Sequence, residues 1–242
     1  MPRGQPDFGM YQQKTVGATL SDMGDLAVRL GSIVEYDRRG DIVSLDDFEN
    51  TILKWTDAAT GVGYVILDST TAKSGSQAIN LHTDVGGAAT ATLAKRLTRL
   101  GVPRLGIEIS FSDMDLGCDF YFTISYWDGV TGYRARLWFD QSTHNLYVEG
   151  LPAIGWVLVA NVGFLRRGEY LWYPVKLVVD FVNHYYVRVL YSDTEYSVAT
   201  IALPTFGDAG GSYILAQFQL LNVVAANHNV WVDDFILTQN EP

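Results

Sequence analysis

From Ile42 onwards apolar and polar residues alternate, and this alternation limits the fold more than any other feature of the chain. Successive side chains of an extended strand point to opposite faces, so a period of about two marks strands with one buried and one solvated side. The pattern predicts strands over residues 42–48, 63–67, 77–82, 88–97, 104–112, 120–127, 133–139 and 145–149. It predicts further strands over 156–162, 173–180, 185–191, 197–202, 213–221 and 229–238. The turn Asp140-Gln141-Ser142-Thr143-His144-Asn145 joins two of them as a hairpin. Around a dozen short strands without helical insertions imply an all-β, two-sheet antiparallel jelly-roll sandwich over residues 41–242. No internal repeat is evident, which excludes a propeller or solenoid.

Residues 1–40 follow a different rule. They are rich in Gly, Pro and Gln at first, with scattered Phe8, Met10 and Tyr11, and then carry one helical pattern. Ser21 is placed to cap it, Asp22 and Asp25 sit in its first turn, and Gly31 ends it. Met23, Leu26, Ala27 and Leu30 fall on one face of this predicted helix, over about residues 22–30. A helix of about nine residues is not stable alone and needs an apolar partner. The segment therefore reads as an extended N-terminal arm that docks on something, with Phe8, Met10, Tyr11, Leu26 and Leu30 as its contacts.

Several stretches of the main domain resemble concanavalin-A-like and carbohydrate-binding-module jelly rolls. Leu45-Asp46-Asp47-Phe48-Glu49 followed by Trp55 is similar to their opening strand, and Ser74-Gly75-Ser76-Gln77-Ala78-Ile79-Asn80-Leu81 to a following one. Trp172-Tyr173-Pro174-Val175-Lys176-Leu177-Val178-Val179-Asp180 with Tyr186-Val187-Arg188-Val189 resembles the central hairpin, and Val230-Trp231-Val232-Asp233-Asp234-Phe235 the closing strand. The resemblance implies a jelly-roll fold over about residues 42–238. It also implies a structural calcium shared by acids of the first and last strands: Asp46, Asp47 and Glu49 at one end, Asp233 and Asp234 at the other. Asp47 and Asp234 are the expected core of that ligand set. Such hard cations take several oxygen ligands, and turn-capping or ion pairing is the alternative use of these acids.

Composition narrows the partners. The formal net charge of −10 disfavours nucleic acid and anionic membranes, and no run of apolar residues is long enough to span a bilayer. The first residues lack the apolar core of a secretory signal, which points to a product made in the cytoplasm. Cys118 is the single cysteine and reads as inert core. His82, His144, His184 and His228 show no ligand spacing, and His144 and His184 read as turn residues. Glu108, Asp113 and Asp115 do not form the paired-acid run of a glycosidase, so no catalytic residue is assigned.

Aromatic residues concentrate between 120 and 173: Tyr121, Tyr126, Trp127, Tyr133, Trp138, Tyr147, Trp156, Tyr170, Trp172 and Tyr173. Arg134, Arg136, Asp128 and Asn145 stand among them. Rings beside such polar groups suit a sugar face, and more often fill a core or subunit interface. Trp127, Tyr133 and Trp138 are the expected ligand or interface residues of the main domain. Together with the arm, the chain reads as a non-enzymatic, homo-oligomeric virion component, decorating a capsid or serving a phage head or tail. Its partners would then be copies of itself and another shell subunit, and its place the virion or the host cytoplasm. The alternatives are a carbohydrate-binding module or adhesin, which would take a glycan, and a glycoside hydrolase.

Overall fold

The computed structural model describes residues 39–101, 104–112, 117–163, 171–207 and 211–242. The expected arm, with its helix and with Phe8, Met10, Tyr11, Leu26 and Leu30, lies outside them apart from Arg39 and Gly40. Among the described residues every regular element is a strand. They are β1 (Asp41–Asp46), β2 (Thr56–Ala59), β3 (Tyr64–Asp68), β4 (Ala78–Thr83), β5 (Thr90–Thr98) and β6 (Arg104–Ser112). Next come β7 (Cys118–Trp127), β8 (Gly132–Asp140), β9 (Asn145–Glu149), β10 (Trp156–Asn161) and β11 (Trp172–Asp180). The last are β12 (Tyr185–Tyr191), β13 (Thr194–Ser197), β14 (Thr205–Phe206), β15 (Tyr213–Asn222) and β16 (His228–Gln239).

These form two antiparallel sheets of 8 strands each. The first runs β13-β12-β11-β6-β16-β4-β3 with β1 on β16; the second runs β10-β9-β8-β7-β15-β5-β2 with β14 on β8. Strands far apart in sequence are neighbours, as in β6 between β11 and β16 and β7 between β8 and β15. The expected all-β sandwich is what the chain forms.

The alternation that predicts the strands also builds the core. Ile107, Ile109 and Phe111 of β6 and Val175, Leu177 and Val179 of β11 face Phe120, Phe122 and Ile124 of β7 and Leu137 and Phe139 of β8, all buried. Phe111 meets Phe120 at 5.2 Å and Phe139 at 4.7 Å between ring centroids, across the two sheets. A second aromatic knot joins Trp55 to Phe235 and Phe218 at 4.7 and 5.6 Å. Cys118 is buried here as expected.

The predicted strand over 197–202 is displaced. Ser192, with φ 53°, turns the chain early, so β13 forms at Thr194–Ser197 and only Ala202 makes an isolated bridge to Tyr185. Thr56–Ala59 is a fully exposed strand on the edge of the second sheet, and the alternation signal has nothing to report where neither face is buried. His144 and His184 have φ of 59° and 61°, in the left-handed region, at matching places in two turns. In the first, Asp140 accepts from the Ser142 and Thr143 N–H groups; in the second, Asp180 accepts from those of Val182 and Asn183. Turn chemistry accounts for both histidines.

Candidate functional site

The outward residues of the second sheet are those that alternate with its core, and strand register sorts them into rows. One row crosses β15, β7, β8 and β9 as Gln219, Tyr121, Trp138 and Tyr147, each opposite the next. Beside it runs a polar row of Gln217, Thr123 and Arg136, continued by Glu149 and Trp156, which are paired across β9 and β10. On the other side lie Asp119, Asp140, Asn145 and Asn161. Period-two strands make this arrangement unavoidable, because residues i and i+2 share a face and the ladder aligns them with neighbours.

The rings pack as a cluster. Tyr121 stacks beside Trp138 at 6.0 Å and 14°, and Trp138 beside Tyr147 at 4.9 Å and 26°. Trp156 leans on Trp138 at 5.1 Å and on Tyr121 at 5.9 Å. All four are partly exposed, so the cluster is a wall with an open side. The amides tie down its margin: Asn145 donates to the Tyr147 hydroxyl at 3.0 Å, and Asn161 to the Asn145 carbonyl oxygen at 3.0 Å.

The charged groups are set by strand geometry. Arg134 grips Glu149 through Nε at 2.8 Å and through a second N–H, a two-pronged bond that fixes both side chains. Arg136, two residues along, lies 3.9 Å from the same carboxylate and 5.7 Å from the Tyr121 ring centre. Asp119 is buried, and desolvation pushes its carboxyl up to about 6, with Asp140 adding like charge. The Trp138 indole opposes that shift, although its N–H makes no well-formed hydrogen bond. Desolvation also raises Tyr121, to about 12, with the Asp119 charge adding to it. Asp140 stays below the usual range despite its own desolvation, because Ser142 and Thr143 donate to it.

Beneath the face, Tyr186 of the first sheet reaches through the core. Its hydroxyl donates to the Glu149 carbonyl at 2.8 Å and accepts from the Arg136 N–H at 3.0 Å. The β8–β9 ladder ends at Leu137 and Val148, and beyond it β14 flanks β8, with the Arg134 N–H donating to the Pro204 carbonyl at 3.0 Å. The Tyr186 hydroxyl fills the gap between these two neighbours, directly under Arg134, Arg136 and Glu149.

Of the expected ligand residues, only Trp138 belongs to this cluster. Trp127 shares the outer face but is buried under Phe206, at 5.9 Å, and Tyr133 points inward, stacked on His184 at 3.8 Å and 8°. Tyr126 and Tyr173 also face inward, Trp172 lies on the outer face of the first sheet, and Tyr170 is outside the described residues. Asp128 caps its own turn through the Val130 and Thr131 N–H groups. Asp119, Thr123, Glu149, Gln217 and Gln219 are additions that strand parity marks once the neighbours are known. Glu108 is fully buried in the first sheet, 2.8 Å from the Lys176 ammonium.

Of the acids assigned to calcium, Glu49, Asp233 and Asp234 are brought together around residues 73–77, and other donors occupy all five. Glu49 accepts from the Ser76 N–H, the Ser76 hydroxyl and the Gln77 N–H, and Asp47 from the Glu49 N–H. Asp233 and Asp234 both turn to this loop because β16 bulges there; Asp233 accepts from the Lys73 and Ser74 N–H groups. Asp234 accepts from the Ser74 hydroxyl at 2.7 Å and the Lys73 ammonium at 3.1 Å. Asp46 takes the Trp55 indole and Lys95. With an ammonium on Asp234, and no group of three acidic, His or Cys side chains placed for a metal among the described residues, this donor set does not fit a calcium ion.

The fold is a two-sheet antiparallel jelly-roll sandwich. It is similar to an endo-β-1,4-glucuronan lyase from the fungus Trichoderma reesei, with a TM-score of 0.57, 13% identity, and coverage of 82% of this chain and 96% of that one. A cellulose-induced protein, Cip1, matches with a TM-score of 0.53, 16% identity and coverage of 81% and 97%. A Bacillus licheniformis β-glucanase matches with a TM-score of 0.52, 10% identity and coverage of 81% and 98%. No protein-family model and no curated protein matches the chain.

Proposed function

We propose that this protein is a carbohydrate-binding module or adhesin domain that holds a glycan on the outer face of its second sheet without cleaving it. The observation that carries this is the partly exposed aromatic cluster of Tyr121, Trp138, Tyr147 and Trp156, set between a row of amides and acids and a row containing Gln217, Thr123, Arg136 and Glu149. A sugar ring offers an apolar face to an aromatic wall and hydroxyls to flanking polar groups, and this surface supplies both. Solved structures of the same fold include proteins named for a glucuronan lyase and a glucanase, which supports the choice of ligand class.

A binding role is favoured over turnover by the use of the acids. A glycosidase needs two carboxyls free to act on either side of one bond. Here Glu149 is clasped by Arg134 and Asp140 by its turn. The virion reading rests on the arm, which lies outside the described residues, and the face of the second sheet supports the glycan reading.

Affinity electrophoresis against a panel of plant, fungal and bacterial polysaccharides tests the proposal. Trp156→Ala and Trp138→Ala are each expected to weaken retention about tenfold or more, equivalent to about 1.4 kcal/mol, with the fold intact by circular dichroism. Retention of no polysaccharide would sink the glycan reading, and release of oligosaccharides from a retained one would sink its non-catalytic half.

A further inference from the structure

The outer face of the second sheet carries two arginines side by side and gives a close carboxylate to only one of them. Arg134 engages Glu149 with two N–H groups. Arg136 approaches that carboxylate no nearer than 3.9 Å, beyond hydrogen-bond reach, and its buried Nε has no acceptor. Burial and the Arg134 charge both work against the charged form of Arg136, and Glu149 compensates in part. A guanidinium stays charged under such conditions. An under-paired cation in a half-buried site is costly unless something supplies the missing charge.

The surroundings specify the shape of what is missing. Arg136 lies over the Tyr121 ring, next to Thr123 in the ladder, with Gln217 beyond it and Glu149 and Trp156 on the other side. Tyr186 pins its backbone from below, so the guanidinium is held out by a rigid strand. A planar fork of N–H donors matches the two oxygens of a carboxylate. From this we infer that the ligand is a uronic-acid-containing polysaccharide, with one uronate carboxylate paired to Arg136 and its sugar ring against the aromatic cluster. The inference rests on the glycan-binding reading and adds the charge of the glycan.

The test measures binding of the full chain to polygalacturonate and polyglucuronate, to neutral cello- and xylo-oligosaccharides, and to dextran sulfate, by calorimetry at moderate salt. Uronate polymers are expected to bind at least tenfold more tightly than neutral oligosaccharides. Arg136→Gln is expected to weaken uronate binding at least tenfold more than neutral binding, and so to remove that preference, and Arg136→Lys to keep only part of it. On the unmodified protein, free glucuronate should compete and glucose should not, a readout independent of whether the variants fold. Neutral glycans bound as tightly as uronates, with Arg136→Gln silent, would overturn the uronate inference and leave glycan binding standing. A preference for dextran sulfate over both uronates would overturn it too. If none of these polymers is bound and Trp156→Ala changes nothing, both readings fall.

Discussion

Desolvation pushes the Asp119 carboxyl up to about 6, and Asp140 across the ladder adds like charge. A free aspartate titrates near about 3.9, so between these values the unfolded chain has released a proton that the folded chain keeps. Stability contributed by this site is therefore fully present below about pH 4 and declines as pH rises to about 6, with no further change above. Asp119→Asn keeps the shape and removes the charge. It is expected to raise stability by up to about 3 kcal/mol at pH 7 and by nothing at pH 4, measured by urea unfolding. Equal effects at both values would mean that the carboxylate is as well solvated folded as unfolded. Its neighbour Arg136 poses the opposite case, a charge that cannot be given up. Arg134 and Arg136 were legible as a same-face pair from their i, i+2 spacing, but their unequal shares of Glu149 were not, because β9 stops pairing with β8 just short of them.

At the level of elements, β8 changes partner halfway along, from β9 to β14, and Tyr186 of β12 closes the interval. Tyr186→Phe leaves the Arg136 N–H and the Glu149 carbonyl without that partner in a buried place. The expected loss is about 1–3 kcal/mol of stability, seen in thermal unfolding, together with weaker glycan retention. A variant as stable as the parent would mean that water or a ladder bond takes over. Most strands were readable because apolar side chains recur at every second position, even in β6, which is buried on both faces; β14 has 2 residues and β2 buries neither face, so periodicity had nothing to mark. Trp127 and Tyr133 were misassigned for related reasons. Trp127 is on the outer face, where Phe206, nearly eighty positions away, covers it, while Tyr133 shares the inward face of Ala135, Leu137 and Phe139 and stacks on His184 of the turn between β11 and β12. Sequence spacing carries no information about either partner.

For the whole molecule, residues 73–77 tie Glu49, after β1, to Asp233 and Asp234 of β16. Gly75 has φ 68°, and a side chain there would run into the Glu49 carboxylate, so the loop is shaped to its ligand. With the Lys73 ammonium on Asp234, Lys73→Met is expected to lower the melting temperature, leaving Asp234 the Ser74 hydroxyl but no cation, at a cost of roughly 1–3 kcal/mol. A chelator is expected to leave the melting temperature of the parent unchanged; a fall on chelation would restore the calcium expectation. Of the acids that the motif resemblance singles out, Glu49, Asp233 and Asp234 meet at this loop, where Lys73, which precedes the quoted motif, adds a cation. The same view of the molecule gives the proposed glycan face a mechanical character. Its wall is built partly from β9 and β10, the outermost strands of the second sheet, while Thr123 and Gln217 stand on interior strands. Fraying begins at margins, so the half of the binding surface bearing Tyr147, Glu149 and Trp156 can peel away while the half beneath the ligand stays put. Departure of a bound chain and unzipping of that border would then be one motion, and anything that stitches the border down also lengthens the stay of the guest.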